Sequence, residues 1–174
     1  MPYFIIHVKT RSEKDFLERA KPIFEDTEVR FIWLRRSLRI RRRGDWIETL
    51  APIFPGYLFV EAQEISPELF LKIKPIPGFF RFLQSNEKIE PLSEGDKKLL
   101  LHFLSFGQVV EKSTVYFDEG KKIRVMFGPL KELEGKIIKV DRRKGRAKVK
   151  LDMFENSFLI DFGFEALENG WLVV

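Results

Sequence analysis

Pro52-Ile53-Phe54-Pro55-Gly56-Tyr57-Leu58-Phe59-Val60 is the stretch on which the reading of this chain turns. Two prolines and a glycine forbid a helix through it. Pro55-Gly56 makes a tight corner, and Tyr57 to Val60 then reads as a strand of aromatic, aliphatic and β-branched residues. A run this dense in apolar side chains is typical of a central strand buried on both faces. Its alternation puts Tyr57 and Phe59 on one side, two residues apart, with Leu58 and Val60 on the other. The expectation is one face in the core and Tyr57 and Phe59 offered to a partner.

Just upstream, Val29 to Arg43 reads as a long strand with a period of two. Arg35, Arg39, Arg41 and Arg43 fall on one face, and Leu34, Leu38 and Ile40 on the other. Arg42-Arg43-Gly44-Asp45 is the turn, and Trp46 to Leu50 returns as the second arm of a hairpin. Earlier still, Tyr3 to Val8 is a strand. Ser12 with Asp15 makes a weak capping box for a helix whose buried stripe is Phe16, Leu17, Ala20 and Phe24, ended or kinked at Pro22.

Downstream, Ser66-Pro67-Glu68 is a strong helix start, and Pro75 and Pro77 stop that helix early. Phe79 to Leu83 is a strand, and Ser93 caps a helix with Leu99, Leu100, Phe103 and Leu104 inward. The order β-α-β-β-β-α-β-α predicts an α+β fold, an antiparallel sheet with packed helices. Residues 106–115 have no clear period and read as a linker. After them come short strands at 122–127, 136–140, 146–152 and 157–160, separated by turn residues, which predict a small all-β barrel. In the third of these, Ala147, Val149 and Leu151 alternate with Arg146, Lys148 and Lys150.

Composition narrows the function classes. The 174 residues suit one medium domain or two small ones, and 44% hydrophobic content supports real cores. Phe occurs 18 times, more than a core of this size needs, so some aromatic surface should meet partners. The net charge of +5 permits nucleic-acid contact without demanding it. There is no cysteine, which excludes disulfides and thiolate metal sites and suits the cytoplasm. No signal peptide is recognised, and no apolar run approaches the ~20 residues of a membrane helix.

The chemistry-bearing residues point to binding, not catalysis. Arg35, Arg36, Arg39, Arg41, Arg42 and Arg43 crowd one hairpin with no acid among them. Arginine forks grip phosphates bidentately and stack on unpaired bases, so this hairpin is the primary nucleic-acid candidate. The alternative, an edge charged to prevent aggregation, usually uses lysine and mixed signs. Arg142, Arg143, Lys144, Arg146, Lys148 and Lys150 form a second basic face with a weaker claim, because a half-buried strand must show polar groups outward. His7 and His102 have no neighbouring ligand or base in sequence and read as structural. No phosphate loop, nucleophile elbow or carboxylate pair occurs, so neither an enzyme nor a cofactor or metal site is expected. Trp171-Leu172-Val173-Val174 is an apolar end that either hangs loose or docks.

Residues 117–140 resemble a KOW motif, with Gly120, Gly128 and Gly135 at its glycine positions and Gly128-Pro129-Leu130 in place of the usual Gly-Pro-Phe. Phe54-Pro55-Gly56-Tyr57 with Leu58-Phe59-Val60 resembles the signature of the NusG N-terminal domain, and Pro77-Gly78-Phe79 resembles its later Pro-Gly-Val segment. With the three motifs in this order, the chain is identified as a member of the NusG family over nearly its whole length. Residues 38–43, 140–149 and 154–165 resemble the specialised LoaP type of antiterminator within that family.

The resemblance implies an NGN-like domain at 1–105, a linker at 106–115 and a KOW (SH3-like) barrel at 116–170. It implies an elongation or antitermination factor that binds the clamp helices of bacterial RNA polymerase through an apolar depression and suppresses pausing or termination. Tyr57 and Phe59 carry over from that depression, and Phe54 is added as their neighbour. An RNA hairpin or exposed non-template DNA would recruit it. Leu69, Phe70 and Leu71 stand where the RfaH branch has a His-Thr-Thr gate-loop contact, which is therefore lost or remade apolar. Phe154 keeps the aromatic of the barrel loop that contacts Rho or a ribosomal protein in NusG, but Glu155-Asn156-Ser157 replaces the rest of that loop. The alternative is a structured-RNA-binding or ribosome-associated KOW protein that does not bind polymerase. Val125, Ile137, Ile138, Val140 and Val149 favour strand, so the barrel should remain β.

Overall fold

The computed structural model describes residues 1–83 and 85–168; the apolar end Trp171–Val174 lies outside them. In chain order the first elements are β1 (Tyr3–Val8), α1 (Glu13–Phe24), β2 (Arg30–Ile32), β3 (Arg35–Arg42), β4 (Asp45–Pro52) and β5 (Tyr57–Glu61). Then come α2 (Pro67–Ile73), β6 (Phe79–Phe82), α3 (Glu94–Leu104) and β7 (Val109–Val110). The last are β8 (Ser113–Phe117), β9 (Ile123–Phe127), a 3₁₀ turn at Glu134–Lys136, β10 (Ile137–Asp141), β11 (Arg146–Met153) and β12 (Asn156–Ala166). The chain divides into two units: Met1–Trp33 with Phe54–Lys98, and Leu34–Ile53 with Leu99 onward.

The first unit holds most of the α+β layer expected over 1–105, while the β3–β4 hairpin and the end of α3 belong to the second unit. The first unit's sheet has the order β2-β5-β1-β6, all antiparallel, and β5 is one of its two inner strands. Leu58 and Val60 on β5 join Phe4, Ile6 and Val8 on β1 in one apolar cluster with Phe16, Ala20 and Phe24 of α1 and Ile73 of α2. Each such side chain contributes about 1.5–3 kcal/mol by leaving water. The stripe on α1 is the one its spacing predicts, and the helix continues past Pro22 to Phe24. The capping box does not form. Ser12 closes the first turn through its carbonyl, which accepts from Phe16 N–H at 2.9 Å, and its side chain makes no cap bond. Ser66 does cap α2, its hydroxyl accepting from Leu69 N–H at 3.1 Å.

The long strand expected over 29–43 is two strands. β2 pairs with β5, whereas β3 pairs with β4 and, in parallel, with β7. Trp33-Leu34 is the joint, because the two halves extend different sheets.

In the second unit the β3–β4 hairpin has continuous register from Arg35↔Pro52 to Arg42↔Asp45. Arg43 and Gly44 are both left-handed, with φ of 52° and 93°, as a type I′ turn requires. The barrel sheet has the order β10-β11-β12-β8-β9. Ala147, Val149 and Leu151 are fully buried, in keeping with the alternation of β11. The stretch 106–115, expected as a linker, instead holds β7 and the start of β8. Val110 and Ser113 are fully buried, and the Ser113 hydroxyl accepts from Leu130 N–H at 2.9 Å. The strand expected at 157–160 is the first part of an 11-residue β12, which pairs with β11 and then, in parallel, with β8. No described helix is long and apolar enough to cross a membrane.

Candidate functional site

The Pro55-Gly56 corner is held from both sides. Gly56 has φ +82°, and a Cβ there would lie 2.9 Å from Thr10 Oγ1. Its N–H donates to Glu13 Oε1 at 2.8 Å, and its carbonyl accepts from Val8 N–H at 2.8 Å. Glu13 is buried at the start of α1, so a carboxylate reaching across the unit fixes where β5 begins. The register then sets His7 opposite Tyr57, Ile6 opposite Leu58 and Ile5 opposite Phe59.

Two of the three residues expected to meet a partner are corrected by this packing. Phe59 is 1% exposed and Phe54 is 2% exposed, and their rings meet edge to face at 6.0 Å. The side of β5 opposite the helices is therefore core at Phe59, as it is at Ile5. Only Tyr57, at the start of the strand, is half exposed.

Around Tyr57 the structure assembles a patch that sequence reasoning missed. The His7 ring stacks on Tyr57 at 4.9 Å, and Phe80, 55% exposed, meets His7 edge to face at 5.2 Å. Three neighbouring strands, β5, β1 and β6, thus contribute one ring each. Burial, with Arg81 nearby, holds the His7 pKa below its ordinary value, so the imidazole is neutral near pH 7 and serves as a flat aromatic surface. The missing signal was the pairing of β1 with β6, which brings His7 and Phe80 together from 73 positions apart in sequence.

In the second unit the arginines separate into two kinds. Arg39, Arg41, Arg42 and Arg43 are exposed, whereas Arg35 and Arg36 are half-buried. Arg36 Nε donates to the Asp161 carbonyl at 2.5 Å and Nη1 donates to the Pro52 carbonyl. Its guanidinium sits 6.0 Å from the Phe162 ring. Burial lowers its pKa to about 10, so it stays charged at neutral pH. Arg36 therefore ties β3 to β12, with Nε and Nη1 already donated to backbone carbonyls. The strands approach closely because β12 has a glycine there: a Cβ on Gly163 would lie 3.2 Å from the Ser37 carbonyl.

Arg39 remains outward, 5.1 Å from the Trp46 ring, which is 40% exposed. Arg146 donates to the Arg39 carbonyl at 2.5 Å. Arg39, Lys112, Arg142, Arg143 and Lys144 line one cleft of about 200 Å³ beside Gly163–Ala166, with Glu165 the one acid of its lining. Arg142 also lies over the Phe117 ring at 3.9 Å. The two basic faces that looked separate in sequence thus converge. Lys112 is partly neutralised by Glu48 at 3.1 Å, and hydrogen bonds from Lys112 and Ser37 pull the Glu48 pKa below its ordinary value. Arginine planes beside Trp46 and Phe117 are suited to phosphate and to unstacked bases.

Phe154 sits in the β11–β12 turn, where it and Glu155 both have positive φ, 53° and 62°. Bulky residues rarely adopt that conformation, and here it sets Phe154 half-exposed at the hairpin tip. His102 makes a structural bond, its Nε2 lying 2.7 Å from the Pro129 carbonyl. Among the described residues no cluster of His, Asp and Glu side chains is arranged to hold a metal ion.

A family model described as transcription termination factor NusG matches residues 1–101. The chain is 26% identical to the transcription termination/antitermination protein NusG of Helicobacter pylori strain J99, over 97% of this chain and 98% of that one. It is also 26% identical to the protein of the same name from Thermus thermophilus, over 64% of each. A solved structure concerned with domain interaction in Thermotoga maritima NusG matches with a TM-score of 0.60 over 93% of both chains, and at 19% identity it speaks for the fold.

Proposed function

The chain belongs to the NusG family, and on that premise we propose that it is a transcription elongation and antitermination factor bound to RNA polymerase through its first unit. The observation that carries this reading is the patch of Tyr57, His7 and Phe80, which lies within the family-matched residues and outside the apolar core. Rings that are part exposed and already ordered lose little entropy on docking, and they are the side chains that most often dominate interface energetics. An apolar helix tip of the polymerase is their partner. Phe59 and Phe54, packed edge to face on each other, belong to the core and not to this surface.

The exposed hairpin arginines, with Arg142, Arg143 and Lys144, hold a nascent RNA hairpin or an exposed non-template DNA strand. That contact brings the factor to its site of action. Residues 1–105 act as the polymerase-binding module and 116–170 as the KOW module. Phe154 at its positive-φ turn is the KOW module's contact for a partner.

Capture of purified core RNA polymerase by the tagged full chain tests the reading. Tyr57→Ala with Phe80→Ala should weaken capture by about 1,000-fold, equivalent to two hot-spot residues, while the melting temperature stays close to that of the parent. Capture at full strength by this folded variant would remove the patch from the proposal. RNA binding with no polymerase capture by the parent would favour a structured-RNA-binding protein.

A further inference from the structure

The barrel sheet ends in two open edges. In the order β10-β11-β12-β8-β9 the outer strands are β10 and β9. Among the described residues β10 pairs with β11 alone and β9 with β8 alone. Between them runs a groove of about 650 Å³, within the range of sites that enclose a ligand. An open strand edge carries unpaired backbone N–H and C=O groups that invite another strand.

The two edges differ. On β9, Lys131 reaches back and its ammonium donates to the Val125 carbonyl at 3.1 Å, covering part of that edge. On β10 the Ile137 N–H donates to the Glu134 carbonyl, which leaves Ile138–Asp141 as the open part of that edge, and a β-bulge at Ile138 leaves that side chain 55% exposed. Half-buried Ile123, Ile137 and Val140 give the groove apolar walls.

Its charge is one-sided. Lys121, Lys122 and Lys139 line it and have no ion-pair partner among the described residues. Arg124 is paired with Asp118 at 2.9 Å, and Lys131 lies 3.9 Å from Glu134, the one acid of the lining.

We propose that this groove binds an extended acidic segment of a partner protein, added as a strand along the free edge of β10. The segment would cover about four residues, the open part of β10. It would place apolar side chains on the isoleucine walls and carboxylates on the three lysines. A strand edge alternates donors and acceptors, which a peptide backbone matches. A phosphodiester backbone offers acceptors alone, so nucleic acid is the poorer occupant of this groove. This surface is separate from the arginine cleft and from the Phe154 turn.

The test uses the full chain, ¹⁵N-labelled, titrated with the synthetic peptide acetyl-Val-Glu-Ile-Asp-Val-Glu-amide. Amide shifts should concentrate at Ile137–Asp141 and Ile123–Phe127. N-methylating the alternate peptide amides that face β10 should weaken binding about tenfold or more, since each removes a ladder hydrogen bond. Lys122→Glu with Lys139→Glu, both exposed positions, should weaken it by a similar factor and leave the fold's spectrum unchanged elsewhere. No shifts at millimolar peptide would overturn the proposal. So would equal binding by the N-methylated peptide, or shifts confined to Arg39 and Arg142–Lys144. Displacement of the peptide from β10 by an eight-nucleotide polyuridylate would assign the groove to nucleic acid instead. Concentration-dependent shifts without peptide, with a dimer mass by sedimentation, would assign it to a second copy of this chain.

Discussion

Replacing Arg39, Arg142 and Arg143 together by alanine should flatten the salt dependence of RNA binding, because the three line one cleft. Lys144 lines it with them, while Lys112 is already paired with Glu48 and Glu165 is the one acid of the lining. Each single-strand phosphate neutralised adds about 0.7 to the slope of log K against log salt, so these four contacts, together with the exposed Arg41, Arg42 and Arg43 of the hairpin, give a slope of about 4.9. A fourfold rise in salt then costs the parent about 900-fold in affinity. The triple variant keeps Lys144, Arg41, Arg42 and Arg43, has a slope of about 2.8 and loses about fifty-fold. Fluorescence anisotropy of a labelled RNA hairpin, read across that salt range, measures both slopes. Arg39→Ala alone should lower the slope by about 0.7 and Arg142→Ala with Arg143→Ala by about 1.4, adding to the triple effect. An unchanged slope in the triple variant would refute the cleft as a phosphate site. A slope that responds to Arg39 but not to the turn arginines would show that the two basic faces act separately. Arg36→Met is the control, and its slope should match the parent, since that guanidinium is committed to two carbonyls.

Arg36→Met should nevertheless destabilise the second unit by about 3 kcal/mol, because two carbonyls lose a charged donor; chemical denaturation checks this, and a loss below about 0.5 kcal/mol would contradict the strut role. Gly56→Ala should cost about 2 kcal/mol, from the left-handed backbone and from crowding against Thr10 and the Val8 carbonyl. Glu13→Ala should cost about 1–3 kcal/mol by orphaning the Gly56 N–H, whereas Glu13→Gln keeps an acceptor and should cost less; the two melting curves should separate accordingly. His7 has a folded pKa below the ordinary 6.5, so the unfolded chain binds its proton first as pH falls. Its contribution to stability is intact above 6.5 and is lost on acidification through the lower folded pKa. His7→Gln should remove that part of the acid slope, and an identical pH profile would contradict the assignment.

The residues alone determined most of the local structure. Proline and glycine placed the corner before β5, a period of two named the buried face of β11, and the cap-plus-proline at Ser66-Pro67 started α2. These signals lie within a few residues of one another, and backbone sterics act over that range. The basic hairpin and its turn were legible for the same reason.

Other features were settled by which strands became neighbours, which local patterning does not encode. A period of two assigned Phe59 a side but could not say that both sides are covered; burial depends on what packs there, so Phe59 and Phe54 became core and Tyr57 became surface. The run 29–43 looked continuous because its alternation is unbroken at Trp33-Leu34, yet its halves pair with β5 and β4. Arg36 looked like its exposed neighbours until β12, more than a hundred residues later, brought the Asp161 carbonyl to it. Long-range pairing likewise gathered His7, Tyr57 and Phe80 into one patch, and Arg39 with Arg142–Lys144 into one cleft. The sequence chose the side chains and the faces of each strand; the tertiary contacts decided which of those faces stayed open to a partner.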